Sequence, residues 1–303
     1  MNENSFGGRW TEEKLSRLRK YLEAYTAIFT KNPKASFFHR VYVDAFAGTG
    51  LRRPRETENN VPDLFMSDED ALQFMKGSAR VALDISPPFD KYFFVENNKA
   101  FANELVGLRD EYSALSDRIF IQSGDANRFL VDWADELDTR HFRAVVFLDP
   151  FGMSVEWTTL EALAKTQAVD LWILFPLGQA VNRLLTRRGL PPPQFEARLT
   201  KFFGTPMWKE EFYTKSSQTT MFEDQDEYDK SASFDQIGRF FNSRLESIFA
   251  KVAPRPLVLM NSKNNPIFLL CFAASNPRGA TTAVNIANDL LQGPKATSVR
   301  GKF

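Results

Sequence analysis

The segment Asp44-Ala-Phe-Ala-Gly-Thr-Gly50, which directly follows the apolar run Val41-Tyr-Val43, decides the fold of this 303-residue chain. A short buried strand that runs into glycines is typical of the first strand of a doubly wound sheet. Glycine there lets the backbone approach a ligand at the carboxyl end of the strand. A purely structural turn would also account for the glycines. The dinucleotide motif G-x-G-x-x-G fails, because Arg53 occupies the third glycine position, and no Gly-Lys-Ser/Thr follows that would indicate a P-loop.

Downstream of this segment, short apolar runs alternate with helical patterns. Such alternation predicts βαβ crossovers and a parallel sheet that is covered by helices on both faces. The further strands predicted in this part of the chain are 91–96, 119–122, 144–149 and 169–175.

The last two predicted strands, 257–260 and 267–272, are joined by a short loop suited to a hairpin. An antiparallel last strand is present in the sheet of a methyltransferase and absent from a nicotinamide-binding sheet. We therefore predict an α/β, Rossmann-like class I methyltransferase fold: a seven-stranded, mostly parallel sheet with an antiparallel last strand, plus a helical insertion. A nicotinamide-dependent oxidoreductase is disfavoured by the hairpin and by Arg53.

The domain organisation is predicted from the same patterns. We expect residues 1–303 to form a single methyltransferase-like domain. Within it, residues 1–40 are expected to be an N-terminal helical extension, 51–77 a loop insertion and 191–251 a helical insertion.

Composition limits the function classes. Lys plus Arg and Asp plus Glu number 38 each, so no global positive field would attract nucleic acid. The single cysteine, Cys271, excludes an internal disulfide, and we expect no metal site. No apolar run is long enough to span a bilayer, and the first residues lack the pattern of a signal peptide. We therefore expect a cytoplasmic protein that does not contact membranes.

Acidic residues stand at the ends of three consecutive predicted strands. Asp44 ends the first strand, Glu96 ends the second, and Asp125 follows the third. A carboxylate at the position of Glu96 can accept hydrogen bonds from both hydroxyls of a ribose, and Asp125 could accept one from an adenine amino group. Taken singly, each acid is more often a helix N-cap or a solvated loop charge, but three such acids at consecutive strand ends favour a ligand site.

The motifs Asp44–Gly50, Phe94-Val-Glu96, Gly124-Asp-Ala126 and Asp149-Pro-Phe-Gly152, in this order, resemble the cofactor and catalytic motifs of class I methyltransferases. The resemblance implies that the cofactor is S-adenosylmethionine. The residues that it assigns to cofactor binding are Asp44, Phe46, Gly48, Gly50, Glu96, Asp125 and Ala126.

More closely, the chain from about Val41 to Leu291 resembles the three-Cys-motif partner family. The segment Leu148–Gly152 with Trp157, and Phe175-Pro-Leu-Gly178 with Asn182-Arg183, belong to this resemblance. It implies a partner protein that carries a three-cysteine motif and is itself similar to radical S-adenosylmethionine proteins. It also suggests a role in nucleic-acid modification or repair.

The catalytic residues are expected in Asp149, Pro150 and Phe151. In methyltransferases that act on base amino groups, an Asp/Asn-Pro-Pro-aromatic loop orients the target amine and stacks on the flipped base. Here the second proline is absent and the aromatic residue comes one position early, which does not favour base amino methylation. A strand-end turn with Phe151 in the core is the alternative.

Basic residues after the fifth strand could hold a phosphate backbone, and the candidate substrate-binding residues are Arg183, Arg187 and Trp157. Solvated helix charges explain the arginines equally well, and a core position is favoured for Trp157. The predicted function is S-adenosylmethionine-dependent methyl transfer to a nucleic-acid or nucleotide-like acceptor. The alternative is a non-catalytic subunit that presents substrate to the three-cysteine partner.

Overall fold

The computed structural model describes residues 9–45, 77–150, 152–215, 228–261 and 263–293. The strands are β1 (His39–Ala45), β2 (Lys91–Glu96), β3 (Ile119–Ser123), β4 (Phe142–Leu148), β5 (Val169–Phe175), β6 (Tyr213–Lys215), β7 (Tyr228–Lys230), β8 (Lys251–Val252), β9 (Leu257–Met260) and β10 (Pro266–Ala274). The helices are α1 (Arg9–Lys31), α2 (residues 77–83), α3 (Lys99–Glu111), α4 (Ala126–Glu136), α5 (Trp157–Lys165), α6 (Asn182–Leu184), α7 (Pro193–Phe203), α8 (Trp208–Phe212), α9 (Phe234–Glu246) and α10 (Ala280–Gln292).

The central sheet has the strand order β3-β2-β1-β4-β5-β10, and both β8 and β9 pair with β10. Strands β1 to β5 are parallel, whereas β10 is antiparallel to β5. The predicted Rossmann-like fold with an antiparallel last strand is therefore confirmed. The carboxyl ends of β1 to β5 meet at one edge of this sheet, which we call the carboxyl edge.

The sheet has eight strands rather than the predicted seven. The additional strand arises because the position beyond β10 is divided between β8 and β9. Pro254 and Pro256 lie between these two strands, and proline has no N–H to donate to the ladder. The position is thus one broken strand, so the sheet has seven strand positions, as predicted.

Each face of the sheet is covered by its own layer of helices. Helices α4, α5, α7, α8 and α9 pack on one face, where Val43 and Val146 contribute to the core. Helices α1, α2, α3 and α10 pack on the other face, where Tyr42 and Phe147 do so. Alternation along β1 and β4 sends successive side chains to opposite faces, as a parallel sheet buried on both sides requires.

Helix α1, expected to be an extension, forms part of the second layer and packs beside α10. Leu18 and Leu22 are fully buried, and the ring of Tyr21 meets that of Trp172 edge-on at a centroid distance of 5.2 Å. Tyr21 also donates a hydrogen bond to Asp170, near the amino end of β5. Lys14 lies two turns earlier, at the carboxyl edge, so α1 runs antiparallel to the strands beneath it.

The segment 191–251 contains α7, α8 and α9, and also a two-stranded sheet of β6 and β7 that the sequence pattern did not predict. Many of its aromatic side chains pack into the core, and several of them lie against β5. Phe241 stacks on Phe175 at 4.3 Å and on Phe202 at 5.8 Å. Among the residues described, no helix is long and apolar enough to cross a membrane.

Candidate functional site

Two buried carboxylates lie at the carboxyl edge on neighbouring parallel strands. Asp44 is 1% exposed and Glu96 is 2% exposed. In the β1–β2 register Ala45 is opposite Val95, so Glu96 lies one residue beyond the end of β1. Strand β4 flanks β1 on its other side, with Asp44 opposite Phe147, and Asp149 follows two residues later. The topology thus brings Asp44, Glu96 and Asp149 to one edge, as the strand-end pattern predicts.

Among the described residues, two side chains donate hydrogen bonds to the carboxyl group of Asp44. The hydroxyl of Tyr42 donates to Oδ2 at 3.3 Å, and the side chain of Ser78 in α2 also hydrogen-bonds the carboxyl group. Burial raises the pKa of Asp44 to about 7, and the negative charge of Asp149 adds to this rise. Oδ1 is buried and has no hydrogen-bond partner among the residues that the structure describes.

Glu96 has a similar environment. Its Oε1 accepts a hydrogen bond from the backbone N–H of Asn98, the residue that caps α3. Burial raises the pKa of Glu96, and the backbone hydrogen bonds of Asn98 and Asn97 oppose this rise. Oε2 is buried and finds no hydrogen-bond partner within the described ranges. A buried acceptor without a donor costs about 1–3 kcal/mol, so both acids are suited to a ligand that brings donors.

Asp149 forms an ion pair with Lys14 that was not predicted from the sequence. Its Oδ2 lies 2.9 Å from Nζ of Lys14, whose side chain is 1% exposed. Burial lowers the pKa of Lys14 to about 8, while the charges of Asp149 and Asp44 oppose this fall. Lys14 belongs to the same helical stripe as Leu18 and Tyr21, which cover the sheet. A lysine in an otherwise apolar stripe is the sequence signal that could have identified it.

Asp125 acts as the N-cap of α4, which was the alternative interpretation of this acid. Its exposed side chain accepts a hydrogen bond from the backbone N–H of Arg128 at 2.9 Å, and the adjacent Ala126 is buried. A cavity of about 560 Å³ lies beside it, between β3 and α4, and is lined by Phe93, Trp133 and Gly124 among others. The cap uses one carboxylate oxygen of Asp125.

Arg183 and Arg187 are exposed and follow β5 beyond the carboxyl edge. The strand β7 lies beside this segment, because the N–H of Lys230 donates to the carbonyl of Arg187 at 3.1 Å. The Lys230 ammonium hydrogen-bonds the side chain of Asn182. Burial lowers the pKa of Lys230, and the charge of Arg187 lowers it further. Lys230, which was not identified from the sequence, thus joins Arg183 and Arg187, and we call these three residues the basic cluster.

Trp157 lies in the core, which argues against the expected substrate contact. Its side chain is 3% exposed, and its Nε1 donates to Glu161. The guanidinium of Arg244 covers the ring at 4.5 Å. A Cβ added at Gly204 would come within 2.1 Å of the ring. The indole has no free face on which a base could stack.

The segment that follows β5 contains a one-residue bulge in its first turn. The N–H of Val181 donates to the carbonyl of Pro176, which gives the π-turn Leu177–Val181. A Cβ at Gly178 would lie 2.0 Å from the carbonyl oxygen of Pro266, so only glycine fits this approach to β10. The Phe175-Pro-Leu-Gly178 segment thus has a structural role, which is to carry the chain from β5 past the start of β10.

Several expected residues lie outside the described residues. They are Phe46, Gly48, Gly50, Phe151 and the loop insertion 51–77 up to residue 76. Pro150 is buried next to Asp149. In the part of the chain that the structure describes, no group of three His, Cys, Asp or Glu side chains is arranged to hold a metal ion.

A second cavity, of about 650 Å³, lies away from the carboxylates, between α9 and the strands β9 and β10. Three of its lining side chains are large, apolar and exposed: Phe234 at 37%, Val258 at 41% and Met260 at 43%. We call this the α9–β9 groove. It is an apolar surface at the broken edge of the sheet.

No protein-family model matches the chain, and no curated protein matches it significantly. Among solved structures, it is similar to a conserved hypothetical protein from Streptococcus pyogenes, with 20% identity and a TM-score of 0.30 over 54% of this chain and 82% of that one. It is similar to a spermidine synthase from Thermotoga maritima, with 10% identity and a TM-score of 0.37, and spans 88% of its own length and 60% of that chain. It is also similar to an O-methyltransferase from Bacillus cereus in complex with SAH, with 10% identity and a TM-score of 0.35 over 89% of this chain and 93% of that one. These values are too low to transfer a function.

Proposed function

We propose that the protein binds S-adenosylmethionine at the carboxyl edge and transfers its methyl group to an acceptor. The observation that supports this best is the pair of buried carboxylates, Asp44 and Glu96, each with one oxygen that lacks a donor among the described residues. Leaving two such acceptors unpaired would be costly, whereas a ligand with hydroxyl and ammonium donors would satisfy both. The fold adds support, because ligands of open α/β sheets bind outside the carboxyl ends of the strands.

In this proposal each strand end contacts a different part of the cofactor. Glu96 accepts hydrogen bonds from the ribose hydroxyls through Oε2, and Asp44 accepts one from the ammonium of the methionine part through Oδ1. Asp125 keeps one oxygen for the adenine amino group while the other caps α4. When bound, S-adenosylmethionine supplies a methyl group on a positively charged sulfur. The desolvated carboxylates favour binding of that cationic ligand.

Asp149, Pro150 and Phe151 are proposed to line the acceptor side of the site. The Asp149 side chain is 14% exposed, which leaves room for it to accept a hydrogen bond from an acceptor group. We propose a nucleic-acid or nucleotide-like acceptor, held through its phosphates by Arg183, Arg187 and Lys230. The support is the location of this basic cluster beyond the end of β5, beside the same edge.

A methyl-transfer assay tests this function. The purified chain would be incubated with S-adenosylmethionine labelled at the methyl group and with RNA, DNA or nucleotides as acceptors. Label should enter one acceptor class, and Asp149→Ala should abolish the transfer. Asp135→Ala, an exposed acid on α4, is the control and should retain it. If both the wild type and Asp149→Ala transfer the label, the proposed role of Asp149 is contradicted. If no acceptor is labelled by the wild type, the proposed methyltransferase activity is contradicted.

The second candidate is a non-catalytic subunit of a three-cysteine-motif protein, as the family resemblance suggests. The α9–β9 groove favours it, because its exposed Phe234, Val258 and Met260 form an apolar surface suited to a protein partner. Co-purification with such a partner, lost in a Val258→Ser/Met260→Ser variant that still folds, would support this function. Binding that persists in the variant would exclude the groove.

A further inference from the structure

We propose that Lys14 is a positioning residue of the carboxyl edge: α1 places its ammonium against the carboxylate of Asp149 and near that of Asp44, where it favours the ionised form of Asp44 that a cationic ligand requires. This rests on the proposed cofactor site and adds a residue of the N-terminal helix to it. The supporting geometry is the 2.9 Å ion pair to Asp149, made by a lysine that is 1% exposed.

The placement of Lys14 is determined by packing. Lys14 precedes Leu18 and Tyr21 on the face of α1 that covers the sheet, and both of these side chains are buried. Its ammonium also lies 4.6 Å from the centroid of the Trp10 ring, a cation–π contact from the same helix. A buried ammonium costs several kcal/mol unless it is paired. Its position against Asp149 therefore indicates that the acids at this edge need a positive charge beside them.

That requirement follows from the acids alone. Asp44 and Asp149 lie at the ends of adjacent strands, and like charges at such a site favour protonation of one member. The groups facing Asp44 are Tyr42 from its own strand, Ser78 from α2, Asp149 from the end of β4 and Lys14 from α1. Tyr42 and Ser78 donate hydrogen bonds, and Asp149 raises the pKa of Asp44.

Lys14 is the cation among these groups and lowers the pKa of Asp44. With Lys14 charged, the two carboxylates of Asp44 and Asp149 share one ammonium, so negative charge remains to meet a cationic ligand. Without Lys14, Asp44 should stay protonated to a higher pH. An uncharged Asp44 would accept hydrogen bonds from an ammonium group less strongly. Lys14 is therefore expected to lower the pH at which the site can bind a cationic ligand.

Carbon-detected NMR of ligand-free protein, labelled at the carboxyl carbon of aspartate, tests this directly. The Asp44 resonance would be identified by its loss in Asp44→Asn. The midpoint of its titration should lie near pH 7 in the wild type. It should lie at a higher pH in Lys14→Met, because the nearby positive charge that lowers the pKa of Asp44 is removed. Lys14→Arg should restore the wild-type midpoint, and Lys20→Met, an exposed lysine of the same helix, should not change it.

Binding of S-adenosylmethionine across the same pH range forms the second arm. Affinity should fall about tenfold for each pH unit below the Asp44 midpoint, and Lys14→Met should move this fall to higher pH. An Asp44 midpoint that is unchanged in a folded Lys14→Met protein would overturn the role of Lys14. A shifted midpoint in a protein that binds no S-adenosylmethionine at any pH would support Lys14 and contradict the proposed cofactor.

Discussion

Replacing Asp44 by asparagine should make the protein's stability less dependent on pH. Asp44 is 1% exposed, and burial raises its pKa from 3.8 to about 7. Because the folded-state pKa lies above the unfolded value, the stabilisation that comes from the protonated carboxyl group is fully present below about pH 4. It is lost as the pH rises through about 7. Above this pH the fold must hold a buried, ionised Asp44.

The size of the loss follows from the two pKa values. Moving from 3.8 to about 7 corresponds to about 4 kcal/mol in full. About 3 kcal/mol of this falls between pH 5 and pH 8. Asparagine has the same shape, cannot ionise, and can still accept the hydrogen bond from Tyr42. The free energy of unfolding of Asp44→Asn relative to wild type should therefore rise by about 3 kcal/mol between pH 5 and pH 8.

Urea unfolding followed by circular dichroism at both pH values measures this difference. Asp170, whose pKa burial raises to about 6, titrates in the same range in both proteins and cancels in the comparison. Asp135→Asn, at an exposed position on α4, is the control and should show no pH-dependent difference. If the difference in free energy of unfolding between Asp44→Asn and wild type is the same at pH 5 and pH 8, the pKa of Asp44 is not raised by burial.

Two further substitutions test the geometry of the fold and of the third strand end. Gly204→Ala should destabilise the protein by about 2–5 kcal/mol, because φ at this position is +67° and the new Cβ would press on the Trp157 ring. Gly107→Ala, in open space on α3, is the control and should be neutral or stabilising by up to about 1 kcal/mol. Thermal unfolding compares the two, and equal effects would contradict the packing of Trp157. Asp125→Ala should cost about 1 kcal/mol through loss of the α4 cap, and Asp125→Ser should restore it. A stability loss with serine equal to that with alanine would show that the cap is not the stabilising contact.

The main sheet was predictable because its strands are long enough to show a pattern. Strands β1, β2, β4 and β5 are six or seven residues long, each contains an apolar run, and turn residues separate them from the helices. By contrast, β6 and β7 have three residues each and β8 has two, which is too short for any period. Their pairing depends on tertiary contacts, such as that between the Arg187 carbonyl and Lys230.

The candidate site was predictable to the extent that topology alone determines it. Parallel strands bring their carboxyl ends together, and this placed Asp44, Glu96 and Asp149 at one edge from the sequence order alone. The Lys14 contact with Asp149 spans 135 residues and depends on how α1 lies across the sheet, which no local pattern encodes. For Asp125, sequence could not separate a cap from a ligand contact, since both use a carboxylate at a helix start.

Calorimetric titration with S-adenosylmethionine tests the central claim most directly. Wild type, Glu96→Gln and the exposed control Glu104→Gln would be compared at about pH 8, where Asp44 is mostly ionised. Saturable binding by wild type and the control, weakened at least tenfold in Glu96→Gln, is the predicted result and corresponds to about 1.4 kcal/mol. No binding by folded wild-type protein, or equal affinity in Glu96→Gln, would contradict a cofactor site built on the buried strand-end carboxylates.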